Sequence, residues 1–129
     1  MINVTVDKLL SAKSILQELA NTPMTAKHSF MVLRTLKTID KEFEMIETTQ
    51  RNLIEKFAQR EEDGSFSADE NGHYVIDKSH IEEYVAEMSQ FLMTEIELDT
   101  KPLPAAVLDK MELTPNQVMQ LEQFVDMDE

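Results

Sequence analysis

Cysteine is absent from the chain, which excludes disulfide staples, thiolate metal sites and thiol nucleophiles. Tryptophan is absent as well, glycine occurs twice and proline four times. With so few glycines there is no Gly-rich loop to cradle a phosphate and no G-x-S-x-G turn to present a serine nucleophile. No apolar run approaches the roughly 18 residues of a membrane span. The opening MINVTVDKLL lacks a basic segment followed by an apolar one, so a soluble chain that does not use a secretory signal is expected. Cations are also scarce, 12 Lys and Arg against 25 Asp and Glu, for a net charge of −13. Neutralising phosphates takes a basic face, so direct binding to nucleic acid or to an anionic membrane is not expected.

What is present is ordinary for a folded protein: 42% apolar and 29% charged residues over 129 positions, the usual extent of one domain, here 1–129. The charge is unevenly spread. Residues 1–60 hold nine basic and seven acidic groups, a net of +2, whereas residues 61–129 hold three basic and 18 acidic groups, a net of −15.

INVTV at the start is β-branched and short, and reads as a strand leading into a helix from about Val6 to Ala20, with Leu9, Leu10, Ile15, Leu16 and Leu19 at helical spacing. Asn21, Thr22 and Pro23 end that helix, and Thr25 offers a cap to the next. From about Ala26 to Gln59 there is neither Gly nor Pro, and Leu33, Leu36, Ile39, Phe43, Ile46, Leu53 and Phe57 form a seam at alternating spacings of mostly three and four. This predicts one long amphipathic helix over 26–59. At 1.5 Å per residue such a helix spans on the order of 50 Å, more than the width of a compact domain of this size, so it needs cover from shorter flanking helices or from another molecule.

Asp63-Gly64 and Asn71-Gly72 are turn signals around Phe66, Tyr74 and Ile76, and predict a small β-hairpin over about 65–76. Ser79 with Glu82 has the spacing of a capping box, and Ile81, Tyr84, Val85, Met88, Phe91 and Leu92 trace the helix that follows. Glu95 to Leu98 alternates with period two and reads as a strand, 94–99, paired with 2–6. Pro102-Leu103-Pro104 is expected to break regular structure. Thr114-Pro115-Asn116-Gln117 then opens a last short helix burying Val118, Leu121 and Val125, and the terminal DMDE is expected to fray. The fold class is therefore α+β, mainly α, with a long central helix packed by two or three shorter ones.

The order of elements and their wording resemble an uncharacterised family of small siphophage proteins from phages of Gram-positive bacteria. The matching segments are LLSAKSILQELA, LRTLKTIDKEFEMIETTQRNLIEKF, the DENG turn, FLMTEIELD and LTPNQVMQLEQF, which together cover nearly the whole chain. The resemblance implies a phage origin among late or structural genes. It carries over no catalytic residue.

Candidate chemistry is sparse. His28, His73 and His80 form no H-E-x-x-H pair, and a carboxylate cluster of His73 and His80 with Glu82 or Glu83 depends on the fold bringing them together. Placing Gly72 or Gly64 at the sixth position of a calcium loop puts Ser67 or Gln59 where an Asp is needed, so neither register works. No cofactor, metal or catalytic residue is expected. Of nine methionines, Met24, Met31, Met45, Met88, Met93, Met111 and Met119 are read as scattered over the helices, where they suit core gaps or an adaptable docking surface.

The reading is a non-enzymatic phage structural or assembly protein acting through protein–protein contacts, with Arg34, Lys37, Lys41, Arg51, Glu82, Glu83 and Glu87 as candidate interaction residues. Its expected partners are further copies of itself and other phage structural proteins. The expected place is the host cytoplasm during infection and, for a structural protein, the virion. The alternative is an anti-defence inhibitor, an acidic DNA mimic or a binder that sequesters a host immune protein or signal.

Overall fold

Alternation of burial fixes the first strand: in β1 (Ile2–Thr5) Ile2 and Val4 point inward and Asn3 outward. β1 pairs antiparallel with β2 (Glu95–Leu98), Ile2 opposite Leu98 and Val4 opposite Ile96, so one apolar face is shared across the pair. The Val6 N–H continues the ladder onto the Thr94 carbonyl at 3.0 Å, so the strands predicted to pair, 2–6 with 94–99, do so, and they run antiparallel. The computed structural model describes residues 1–127. They fall into two compact units, Met1–Phe43 with the chain from Thr94 onward, and Glu44–Met93. Among the described residues no helix is long and apolar enough to cross a membrane.

In the first unit the predicted opening helix is two helices, α1 (Val6–Ser11) and α2 (Lys13–Ala20), joined at the fully buried Ala12. There the backbone tightens to ψ −7°, and the Ala12 N–H is shared between the carbonyls of Lys8 and Leu9. Thr5 caps α1 through the Lys8 N–H, at 3.2 Å. Thr25 caps the long helix α3 (Ala26–Phe57) as expected, accepting from the His28 N–H at 3.4 Å. Residues 26–43 of α3 belong to this unit and 44–57 to the other.

The seam of α3 is shifted from the predicted one. Buried positions run Val32, Thr35, Ile39, Phe43, Ile46 and Phe57, with Leu36 and Leu53 half-buried, whereas Leu33 is 49% exposed. Thr35 tolerates burial because its hydroxyl lies 3.3 Å from that of Thr100.

Pro102 to Pro104, predicted to be irregular, contains β3 (Leu103–Pro104), which runs parallel to β4 (Val125–Asp126). The Leu103 N–H donates to the Phe124 carbonyl at 2.8 Å, and Pro104, which has no N–H, takes the position that needs no donor. A 3-10 turn over Ala105–Leu108 follows, then α5 (Pro115–Leu121). α5 opens with the predicted capping box: the Gln117 N–H donates to the Thr114 hydroxyl at 3.3 Å, and the Thr114 N–H to the Gln117 side chain at 2.9 Å. Asp126, the first residue of the terminal DMDE, is in β4 rather than frayed; Asp128 and Glu129 lie outside the described residues. Leu9, Ile15, Leu16, Leu19, Ile39, Leu98, Leu121 and Phe124 are the large apolar side chains buried to 1% exposure or less in this unit.

The second unit departs furthest from expectation. α3 ends at Phe57 rather than Gln59, and residues 58–60 join the predicted hairpin as a third extended segment. Ala58 faces Ile76, Arg60 faces Phe66, and Ala68 faces Tyr74, each pair antiparallel. At the centre the Gln59 N–H donates to Val75 (2.6 Å), Val75 to Ser67 (3.0 Å) and Ser67 back to Gln59 (2.8 Å), a closed ring of backbone hydrogen bonds through residues spaced by eight. The same spacing repeats outward. Glu61, Asp69 and Asp77 each donate across their own arm, to Ser65 (2.7 Å), His73 (2.8 Å) and Phe57 (2.9 Å), and each accepts from the residue three further on, Gly64, Gly72 and His80.

The unit thus holds three equivalent arms about a pseudo-threefold centre. The first two are tight turns whose glycines, Gly64 (φ +89°) and Gly72 (φ +80°), adopt a conformation that a side chain disfavours. In the third arm the equivalent residue is His80, and the chain turns instead through a 3-10 segment, Lys78–His80, into α4 (Ile81–Leu92). Asp77 caps that segment, accepting from both the N–H (3.0 Å) and the hydroxyl (2.8 Å) of Ser79. The predicted capping box of Ser79 with Glu82 is therefore replaced, because the Ser79 hydroxyl is committed to Asp77.

Candidate interaction surfaces

On the first unit, the phase of α3 that buries Val32, Thr35 and Ile39 turns a different set of side chains to solvent. At about 100° per residue, Lys27, Phe30, Leu33, Arg34, Lys37 and Lys41 all lie within roughly 60° of one line along the helix. All six are exposed, Phe30 at 61% and Leu33 at 49%. The guanidinium of Arg34 sits over the Phe30 ring, 5.9 Å from its centroid, which anchors the cation beside the apolar pair. Between Ala26 and Lys41 there are four basic residues and one acid, Asp40, a net of +3 in a chain that is acidic overall.

Beside this face a half-open cleft of about 570 Å³ is lined by Arg34, Thr35, Thr38, Asp99, Thr100 and Lys101, among others. It combines two cations with one carboxylate and three threonines, whose hydroxyls are engaged with each other (Thr35 with Thr100, 3.3 Å) or with the Arg34 carbonyl (Thr38, 3.3 Å).

On the second unit, α4 turns Tyr84 toward Phe57, with ring centroids 6.2 Å apart and edge to face. Phe57 also receives the His80 ring at 5.9 Å and the Lys56 ammonium at 5.1 Å, and Lys56 pairs with Glu87 at 3.0 Å. The opposite side of α4 presents Glu82, Val85, Ala86 and Ser89, and Met93 just beyond its end, all exposed, with Val85 at 54% and Met93 at 69%. Glu82 and Glu83 occupy the first turn, where carboxylates offset the positive end of the helix dipole. α4 contains three acids and no base, a net of −3.

The predicted interaction residues therefore sort into groups. Arg34, Lys37 and Lys41 share one face of α3 with an apolar pair that sequence reading assigned to the core or did not single out. Glu82 and Glu83 are exposed on α4; Glu87 is half-buried and tied to Lys56. Arg51 stands apart, exposed on α3 within the second unit, where it lines a shallow groove of about 530 Å³ with Tyr74 and Tyr84. His73 and His80 approach separate carboxylates, Asp69 at 4.0 Å and Glu83 at 3.6 Å, so they do not form the joint cluster considered above.

The acidic arms of the second unit have their own electrostatics. Asp63 is held below the ordinary aspartate range by the Ser65 hydroxyl and N–H, Asp69 by the N–H groups of His73 and Asn71, and Asp77 by the N–H and hydroxyl of Ser79. Each hydrogen bond favours the charged carboxylate, so folded pKa values lie below unfolded ones. The resulting stabilisation is present above the unfolded value and disappears as pH falls through the lowered folded value. Carboxyl NMR titration is expected to give midpoints below the ordinary aspartate value for these three residues, with the Ser65, His73 and Ser79 amides losing protection from exchange in the same acid range. Midpoints at or above that value, with protection unchanged, would show that these turns do not depend on their carboxylates.

No protein-family model, curated protein sequence or solved structure matches the chain.

Proposed function

We propose that this chain is a non-enzymatic phage structural or assembly protein that acts through protein–protein contacts. The observation that carries the reading is the exposed Phe30–Leu33 pair, ringed by Lys27, Arg34, Lys37 and Lys41 on one face of α3. A phenylalanine and a leucine one helical turn apart cost free energy when left in water, and surrounding them with cations makes them soluble yet selective for a partner that is apolar and acidic. The phage setting comes from the sequence resemblance, from LLSAKSILQELA to LTPNQVMQLEQF.

Affinity purification of the tagged chain from an infected culture, with mass spectrometry of its partners and of purified virions, tests this. Phage structural proteins are expected as partners, and their capture is expected to be lost in a Phe30→Asp, Leu33→Asp variant. Recovery of host proteins alone, unaffected by that variant, removes the reading.

The alternative, an anti-defence binder, draws on one specific observation, the cleft that Arg34 and Lys101 line together with Asp99 and three threonines. A small anionic signal would suit it. Capture of a host immune protein, or of such a signal, in the same experiment favours that alternative.

A further inference from the structure

The two exposed helix faces are complementary to each other. One, on α3, is apolar at Phe30 and Leu33 and basic at Lys27, Arg34, Lys37 and Lys41; the other, on α4, is apolar at Val85 and Met93, carries Glu82 beside them and is bordered by Glu83, which also approaches His80 at 3.6 Å. From the sign and pattern of these faces we propose that the α3 face of one copy docks on the α4 face of a second copy. The proposal rests on the protein-contact reading above and names the partner.

Three observations carry it. The first is that each face has an apolar centre with a charged margin, the composition of an interface core and rim. The second is that the exposed charges are of opposite sign, Lys27, Arg34, Lys37 and Lys41 on α3 against Glu82 and Glu83 on α4, so pairing sets unlike charges together. In addition, neither face can pair with its own kind, since α3 against α3 sets Lys37 and Lys41 against like charge and α4 against α4 does the same with Glu82 and Glu83. The contact is therefore between unlike patches. Every copy carries one of each, so the match is made reciprocally in a two-fold dimer or repeated head to tail in a larger assembly.

Attraction across charged margins is screened by salt, with a screening length of about 10 Å at 0.1 M and 3 Å at 1 M, so association should weaken as salt rises even though burial of Phe30 and Val85 does not. Reversing one margin sets like charges together across the interface and is expected to raise the dissociation constant by roughly a hundredfold or more.

The test uses the full chain and analytical ultracentrifugation at low and high salt, on the wild type and on two variants. In one, Lys37→Glu and Lys41→Glu make the α3 face acidic; in the other, Glu82→Lys and Glu83→Lys make the α4 face basic. All four side chains are exposed, so circular dichroism and melting are expected to match the wild type, and Lys110→Glu, outside both faces, serves as the charge control. Wild type and K110E should associate at low salt, and each double variant alone should be monomeric. A 1:1 mixture of the two double variants should associate again, because the acidic faces of one meet the basic faces of the other. A wild type that is monomeric at low salt overturns the proposal, as does association that survives either reversal, or a mixture that fails to recover. These outcomes separate from those of the capture experiment. A monomer that still captures phage proteins leaves the function reading standing without self-assembly, whereas self-assembly without phage partners does the reverse.

Discussion

Ile39→Ala is expected to lower the unfolding free energy by about 2–5 kcal/mol, while Leu33→Ala, six residues away on the same helix, changes it by about 0.5 kcal/mol or less. Ile39 is fully buried, in line with Val32, Thr35 and Phe43 along the packed face of α3. Removing its branched side chain forfeits the transfer free energy of the lost carbons and leaves a cavity that a close-packed surround fills only in part. Leu33 is 49% exposed, so truncating it removes little buried surface and creates no hole. Against a total stability of about 5–15 kcal/mol the first change is large, and urea denaturation resolves the two easily. Equal losses at both positions would mean that α3 packs in the phase read from the sequence. With the observed phase, Leu33→Ala is expected to be silent in stability and, under the proposed function, to act on partner binding.

That phase was the least legible feature of the long helix, and the reason is local. Phe30, Met31, Val32 and Leu33 are four consecutive apolar residues, which cover nearly the full circumference of a helix and leave its buried side undetermined. Further along, Ile39 and Phe43 are isolated among polar neighbours, and there the seam matches the buried one, as it does at Ile46. A seam extended back from them by threes and fours reaches Val32 through Thr35, or Leu33 through Leu36, and the apolar leucines suggest the second path. The structure takes the first, and the Thr35 hydroxyl there meets that of Thr100, a contact between residues 65 positions apart that no local pattern contains. The candidate surface was accordingly half visible. Arg34, Lys37 and Lys41 stand out by charge, but the Phe30 and Leu33 that give the face its apolar centre emerge only with the phase.

The three-armed unit shows a similar limit. Asp63-Gly64 and Asn71-Gly72 announce two turns because their backbones need positive φ, and both turns are present. Ala58, Gln59 and Arg60 give no such signal. They prolong the helical pattern of α3 and have no Gly or Pro to stop it, so the third partner of the ring is hidden in what reads as helix. The signal that finds it is the spacing of eight shared by Gly64 and Gly72, Phe66 and Tyr74, and Asp69 and Asp77, a period longer than any secondary-structure template tests. The rings of Phe66 and Tyr74 then meet at 4.7 Å, with the Arg60 guanidinium 4.5 Å from the Phe66 centroid, and so cover one side of two adjoining arms.

Phe124→Ala is expected to cost about 3–5 kcal/mol, the largest loss from a single residue in the first unit. Phe124 is 1% exposed and stands between α5 and β4, beside Leu121 and Val125, which are also buried. Its carbonyl accepts the Leu103 N–H at 2.8 Å and its N–H donates to Leu121 at 2.9 Å, so its side chain is buried where its backbone is fastened in both directions. The sequence pointed to Leu121 and Val125 by helical spacing but not to Phe124, because α5 ends at Leu121 and the next residues change period before β4. Loss of the ring should loosen the parallel pair as well as the core, and hydrogen exchange at Leu103 reports the pair separately from global unfolding. A Phe124→Leu variant, which keeps much of the apolar volume, should recover most of the stability and the Leu103 protection together. If Phe124→Ala melts near the wild type with Leu103 still protected, then the end of the chain is held by its backbone alone, and the closing of the first unit does not depend on this side chain.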